Sequence, residues 1–232
     1  MAIGPEGTIY GNEAGLDTAF EIEIDPPAMN FVKILNASEA SSIFQVNYRG
    51  KPRVLKVFHN TKDPGAYCRL KRAGICDGGY VPNFYGFIRD LDTARFAPHL
   101  NAFQHDSGRP AAILIEYLPN PIPMNCVTYS KVRMEMAITA IKQIHLALIE
   151  HNDSYPKNIL IVPRAGEDSE RVLWVDFDVA ITYPDKTSMK ERERRWLDEE
   201  TECVEGFGLK LARDQESGLQ LNTKYYYKWG FA

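Results

Sequence analysis

The chain has 232 residues, 44% hydrophobic and 25% charged, the balance of an ordinary globular protein. Its 31 acidic residues outnumber its 27 basic ones, and a net charge of -4 lacks the basic excess of a typical nucleic-acid binder. No apolar run approaches the roughly 18–20 residues of a membrane helix, and the first ten residues lack a basic stretch followed by an apolar one. A cytoplasmic protein with no membrane and no nucleic-acid partner is expected.

Cys68, Cys76, Cys126 and Cys203 are scattered without C-x-x-C spacing, and the five histidines do not join them at zinc-site spacing. Reduced thiols are expected, since a chain this long can bury a core without disulfides.

Residues 1–29 are rich in Gly, Glu, Asp and Pro and read as a mobile or loosely docked leader ending at Pro26-Pro27. Three short β runs follow: Phe31 to Leu35, the alternating Ser42 to Tyr48, and Val54 to Phe58 after the turn Arg49-Gly50-Lys51-Pro52. Ala66 to Ala73 is helix-compatible and is stopped by Gly74 and Gly78-Gly79. Val81 to Ile88 and Ala111 to Glu116 read as two more strands, with the polar stretch Arg89 to Pro110 as a loop or long hairpin. Pro119, Pro121 and Pro123 make a stiff extended connector.

Beyond it, Met134, Ile138, Ile141, His145 and Leu148 form one apolar helical stripe. Ile159 to Val162 and Val172 to Val175 read as short strands joined by a polar turn. Ser188 to Asp214 is a charged helix with Trp196, Val204, Phe207 and Leu211 as inward positions. The end, Tyr225 to Phe231, is aromatic and reads as a tail packed on the body or as a contact for a ligand or partner.

The chemistry concentrates in His151-Asn152-Asp153-Ser154-Tyr155-Pro156-Lys157-Asn158 and Asp176-Phe177-Asp178. The pattern is H-x-D-x-x-x-x-N, a strand, a turn, a second strand and D-F-D. One loop thus presents a carboxylate and an amide, and a second carboxylate arrives at the end of the next hairpin. That suits metal-assisted phosphoryl transfer. Asp153 can accept a proton from a hydroxyl, and Asn158 and Asp176 offer the hard oxygens that magnesium prefers. A plain Asx-rich turn is the competing reading of Asp153 and Asn158. His151 reads as a brace for the loop. Asp178 is open between a surface carboxylate, a second metal contact and a position where glycine is usual.

Over Phe31 to Thr182 the chain resembles the protein-kinase-like superfamily, closest in flavour to short fungal kinase-like proteins and small-molecule phosphotransferases of the aminoglycoside and choline type. The resemblance implies an α+β, bilobal kinase-like fold. Residues 30–118 would form a nucleotide-binding N-lobe of antiparallel sheet plus one short helix. Residues 119–232 would form an abbreviated, mainly helical C-lobe. Lys56 resembles the third-strand lysine that holds the ATP phosphates. Ile115-Glu116-Tyr117-Leu118 resembles the hinge whose backbone binds adenine, and Leu35, Ile43, Val54 and Leu160 match positions that sandwich the adenine ring. ATP and Mg2+ are the implied cofactors and a small-molecule hydroxyl the implied acceptor.

The sequence departs from the family in four places. The phosphate loop, Asn36 to Ser42, has no glycine, so close backbone approach would fall to its amides and to the Ser38 or Ser41 hydroxyls. Asp63 stands where a helix glutamate pairs with the lysine, and, followed by Pro64, it competes for a role as N-cap. Asn152 stands where regulated protein kinases carry arginine. No A-P-E follows Asp178, which disfavours a peptide acceptor. Two alternatives to a small-molecule phosphotransferase therefore stand: a pseudokinase-type scaffold with a protein partner or a pocket recruited for other metabolite chemistry, and an abbreviated protein kinase.

Overall fold

The structure, a computed structural model, describes residues 2–3, 9–10, 17–59, 64–163 and 169–219. In chain order the strands are β1 (Ala2–Ile3), β2 (Ile9–Tyr10), β3 (Met29–Ala37), β4 (Ser41–Tyr48) and β5 (Lys51–Phe58). Helix α1 (Gly65–Arg72) precedes β6 (Phe84–Ile88), β7 (Ala112–Glu116) and β8 (Ile122–Pro123). Helix α2 (Lys131–Leu146) is followed by β9 (Ile149–Glu150), β10 (Ile159–Pro163), β11 (Glu170–Trp174), β12 (Ile181–Thr182) and α3 (Glu191–Glu216). The chain is thus a mixed α+β protein with three α-helices among the described residues, compatible with a kinase-like fold. It divides into two compact units. One comprises Gly15–Lys71 and Pro82–Tyr117, and the other is built around Arg72–Val81 and the chain from Leu118 onward.

The first unit is a five-stranded antiparallel sheet in the order β3-β4-β5-β7-β6. Strand alternation sorts β5 into two faces: Leu55 and Val57 enter a core with Phe44, Val46 and Leu114, while Val54 and Lys56 point to the other side. The Arg89 to Pro110 stretch is more than a loop. It forms two 3-10 turns, 93–96 and 101–103, that lower Phe96, Leu100 and Phe103 into the Leu55 face of the core. Phe31 meets this cover edge-on through Phe96 and stacks on His99, with the ring planes 7° apart. On α1, Tyr67 packs against Phe84 of β6.

Residues 17–28 take the docked alternative of the leader reading, with a buried anchor at Ile24. They dock on the sheet: the Ile22 N–H donates to the Phe87 carbonyl at 2.8 Å, and Ile24 is buried in the core. Gly86 makes that docking possible. It has φ +141°, and a Cβ there would lie 2.6 Å from Ile22 Cγ2 and 2.8 Å from the Phe20 carbonyl oxygen. The aromatic tail and Asp63 lie outside the described residues.

The second unit rests on α2 and α3, with two small sheets, β11-β10-β8 and β12-β9. The proline connector, expected to be extended throughout, bends at Asn120, which has φ +47°, and is extended only at its end, where Ile122 and Pro123 add an edge to β10. Ser130 caps α2 by accepting the Arg133 N–H at 3.2 Å. The buried face of α2 is Met134, Ala137, Ala140, Ile141 and Ile144. Of the expected stripe, Met134 and Ile141 are buried, Ile138 and His145 are half-buried, and Leu148 falls past the helix end, in the left-handed region at φ +60°. On α3 the buried positions are Glu193, Leu197, Glu200, Val204, Phe207, Gly208 and Leu211, a continuous helical stripe. Trp196, expected inside, is only half-buried. Trp174 is fully buried and ties β11 to α2, its indole N–H donating to the Ala137 carbonyl at 2.9 Å.

Candidate active site

The motif loop begins where β9 ends. His151 is fully buried, wedged against Trp174 and Phe177 at ring separations of 5.2 and 4.6 Å. Its Nε2 lies 2.9 Å from the Val175 carbonyl, an acceptor, so Nε2 carries the proton. The other ring nitrogen, Nδ1, has no hydrogen-bond partner among the described residues. Burial pushes the imidazole below its ordinary value of 6.5, against the opposing pull of Glu200, Val175, Asp153 and Asp176. His151 is therefore a neutral brace that joins the loop to the strand leading into Asp176.

Asp153 is half-buried. The Asn158 side-chain amide donates both to the Asp153 carbonyl at 2.8 Å and to its carboxylate at 2.9 Å. The Lys157 ammonium also lies 2.9 Å from that carboxylate. Spending the Asn158 N–H groups on Asp153 fixes the amide's orientation and leaves its oxygen as the group available to a cation. The Val175 N–H donates to the Asn158 carbonyl at 2.9 Å, which brings the Asp176 strand end to the loop.

Asp176 has φ +68° and Asn152 φ +60°, both in the left-handed region that non-glycine residues seldom adopt. Phe177 is buried, so the D-F-D turn is anchored by its middle residue while Asp176 stays partly exposed. Asp153, Asn158 and Asp176 thus form one constellation around His151. Its donor set suits magnesium, which takes one or two carboxylates, keeps several waters and shares phosphate oxygens. Among the described residues, no group of three or more His, Cys, Asp and Glu side chains could hold a metal by itself.

The residue that sequence reasoning missed is Glu200. This buried carboxylate on α3 accepts the His151 N–H at 2.9 Å and the Asn152 N–H at 2.8 Å, and lies 2.7 Å from His145 Nε2. Desolvation works to raise its pKa, but the hydrogen bonds from His145 and from the His151 backbone N–H hold it below its ordinary 4.5. Glu200 therefore fixes two consecutive backbone amides, those of His151 and Asn152, just ahead of Asp153. Lys157 was also missed as a site residue. Its signal was a position four residues after Asp153.

In the sheet unit, Lys56 is only 4% exposed, with its ammonium 5.4 Å from the Phe58 ring centroid. Strand register places Ile43, Lys56 and Ile113 in one row across three strands, and Val54 beside Ile115 in the next row of that face. Leu35 is 42% exposed, at a bulge in β3. Glu116 braces the start of β6. Its carboxylate accepts the Asn83 N–H at 3.0 Å, and its own N–H donates to the Asn83 carbonyl at 2.8 Å. Leu118 and Leu160 belong to the other unit, in one apolar cluster with Val162, Leu173 and Val175.

The glycine-free loop is a closed turn. The Ser38 N–H donates to the Ser41 carbonyl, and the Ser38 hydroxyl accepts the Ala40 and Ser41 N–H groups at 3.3 and 3.2 Å. Three amides expected to be available for phosphate are thus engaged inside the turn. The Ser38 hydroxyl is engaged as well, donating to the Ser41 carbonyl at 3.1 Å.

The model of the lipopolysaccharide kinase (Kdo/WaaP) family matches residues 101–204. That family lies within the protein-kinase-like superfamily, and the likeness points to a kinase. The matched segment, just under half of the chain, contains Asp153, Lys157, Asn158, Asp176 and Glu200 but not Lys56. No curated protein matches the chain. Among the described residues no helix is long and apolar enough to cross a membrane.

Proposed function

We propose that the chain is an ATP- and magnesium-dependent phosphotransferase acting on the hydroxyl of a small, sugar-like molecule. The observation that carries this reading is the Asp153 carboxylate held between Asn158 and Lys157, with Asp176 beside the same buried histidine. On this reading Asp153 orients the acceptor hydroxyl and takes its proton as the bond to phosphorus forms. Lys157, already a hydrogen-bond length from Asp153, offsets negative charge gathering on the transferred phosphoryl group. Asn158 and Asp176 hold magnesium, which supplies charge neutralisation for the phosphates. Lys56 holds the nucleotide phosphates, and Ile43, Val54 and Leu35 of the sheet unit offer apolar contacts for adenine, with the Glu116 carbonyl as its polar partner. The family likeness over residues 101–204 supports a sugar-like acceptor over a peptide. The reading is tested by incubating the protein with ATP and Mg2+ and a panel of sugars and amino sugars. A phosphorylated product with one acceptor, absent with peptides, supports it.

A scaffold reading is favoured by one observation, the Ser38 turn that engages its own amides. A titration of thermal stability with ATP, with and without Mg2+, separates the two. A shift that requires Mg2+ supports the enzyme, and no shift under either condition supports the scaffold.

A further inference from the structure

Two Arg–Tyr pairs line one hollow of the sheet unit, and none of its lining residues belongs to the candidate active site. The Arg53 guanidinium carbon is 3.9 Å from the Tyr85 ring centroid, and Arg53 also donates to the Pro52 carbonyl at 2.8 Å. Arg49 lies 5.1 Å from the Tyr48 ring centroid. The hollow encloses about 450 Å³ and takes in Lys51 and one carboxylate, Glu23. Arg49 and Gly50 are both left-handed, at φ 50° and 73°, so a tight hairpin tip sets where these cations project. Along β5, Arg53 alternates with Val54, so the hollow opens on the sheet face away from Lys56.

We propose that this hollow binds a ligand carrying clustered phosphate esters. Stacking on tyrosine holds a guanidinium flat and partly desolvated, and leaves its in-plane N–H edge for a forked bond to phosphate oxygens. Arg53, the exposed Arg49 and Lys51 face one carboxylate, Glu23, a local positive excess in a chain whose net charge is -4. The excess is confined to the hairpin, because the adjoining arginines have acidic partners: Arg89 bonds Glu21 at 3.0 Å, and Arg109 lies 3.9 Å from Asp92. A ligand with a single negative charge would leave part of this cation set unanswered, whereas neighbouring phosphates use all of it. A soluble polyphosphate and a phosphorylated lipid headgroup offer the same chemistry.

The test uses the full chain and two probes, inositol hexakisphosphate by calorimetry and phosphatidylinositol 4,5-bisphosphate vesicles by co-sedimentation. The wild type is expected to bind at least one probe, more weakly as salt rises. The Arg49→Gln/Arg53→Gln variant is expected to lose about tenfold or more in affinity at unchanged Tm. Arg53→Lys is expected to lose severalfold because it keeps the charge but not the fork. Binding to the soluble probe alone assigns a free polyphosphate. Vesicle binding that the soluble probe displaces assigns a headgroup. No binding of either probe, or equal binding by wild type and the double variant, would overturn the proposal. So would equal displacement by poly-glutamate, which would assign the hollow to acidic peptides.

Discussion

Glu200 on α3 and His151 at the head of the motif loop are joined through the loop backbone: the buried carboxylate accepts the His151 N–H at 2.9 Å and, through its second oxygen, the Asn152 N–H at 2.8 Å. The loop that carries Asp153 is thereby attached to the longest helix described rather than left to its own turn geometry. Glu200→Ala removes a buried acceptor shared by both amides and by His145. It should lower stability by about 2–4 kcal/mol in chemical denaturation. A loss below about 0.5 kcal/mol, the scale of a surface substitution, would show that the loop does not depend on the helix.

The buried histidine makes stability depend on pH. The folded pKa of His151 is depressed below its ordinary 6.5, so the unfolded chain binds the extra proton first. The stabilisation is complete above about pH 6.5 and is lost as pH falls through and below that value. Glu200, held below its ordinary 4.5, adds a second loss at more acidic pH. Glu150 acts in the opposite sense, because burial raises its pKa, and the stability it gives in its protonated form is lost as pH rises above 4.5. Denaturant unfolding between pH 7.5 and 5.5 should therefore show a decline that the His151→Gln variant lacks. An identical slope in both proteins would contradict the neutral brace.

The α2–α3 contact makes a third prediction. A Cβ at Gly208 would sit 2.8 Å from Met134 Cγ. Gly208→Ala gains about 1 kcal/mol of helix propensity, but crowding in a packed core typically costs about 1–3 kcal/mol. A net loss of stability is expected, and Met134→Ala should cost less stability in the Gly208→Ala background than in the wild type. A stabilised Gly208→Ala protein would mean that the helices separate freely.

Asp176→Asn tests the metal assignment. An amide keeps the size of the side chain but not the charge that holds a hard divalent cation. The variant should fold with a Tm near that of the wild type, while the Mg2+-dependent part of ATP binding disappears. Equal enhancement by Mg2+ in both proteins would remove Asp176 from the site.

The motif loop was legible because its chemistry is local: Asp153, Lys157 and Asn158 lie within six residues, and the strands that bring Asp176 to them read as two plain apolar runs. The sheet was legible for the same reason, since Ser42 to Tyr48 alternates and the Arg49-Gly50 turn marks its end. The 89–110 cover was not. Phe96, Leu100 and Phe103 follow neither a strand nor a sustained helix period, and only tertiary packing reveals them as core. Glu200 was hidden among the many acids of α3, although it left a trace. It shares the inward stripe with Leu197, Val204 and Leu211, and a carboxylate on an apolar stripe needs buried donors. The Ser38 turn was illegible because the same serines fit a phosphate cradle or a self-closed turn, and only the hydrogen bonds distinguish them.

The central claim is that Asp153 performs phosphoryl transfer, and the most direct measurement compares wild type and Asp153→Asn for ATP affinity and for transfer from ATP to a hydroxyl acceptor in Mg2+. Asparagine can keep a hydrogen bond to Asn158 but cannot take the acceptor's proton. The account predicts that transfer falls by about 10²–10⁴-fold while ATP affinity changes little. Transfer at the wild-type rate in the variant, or no transfer to any acceptor by a wild type that binds ATP and Mg2+, would contradict it.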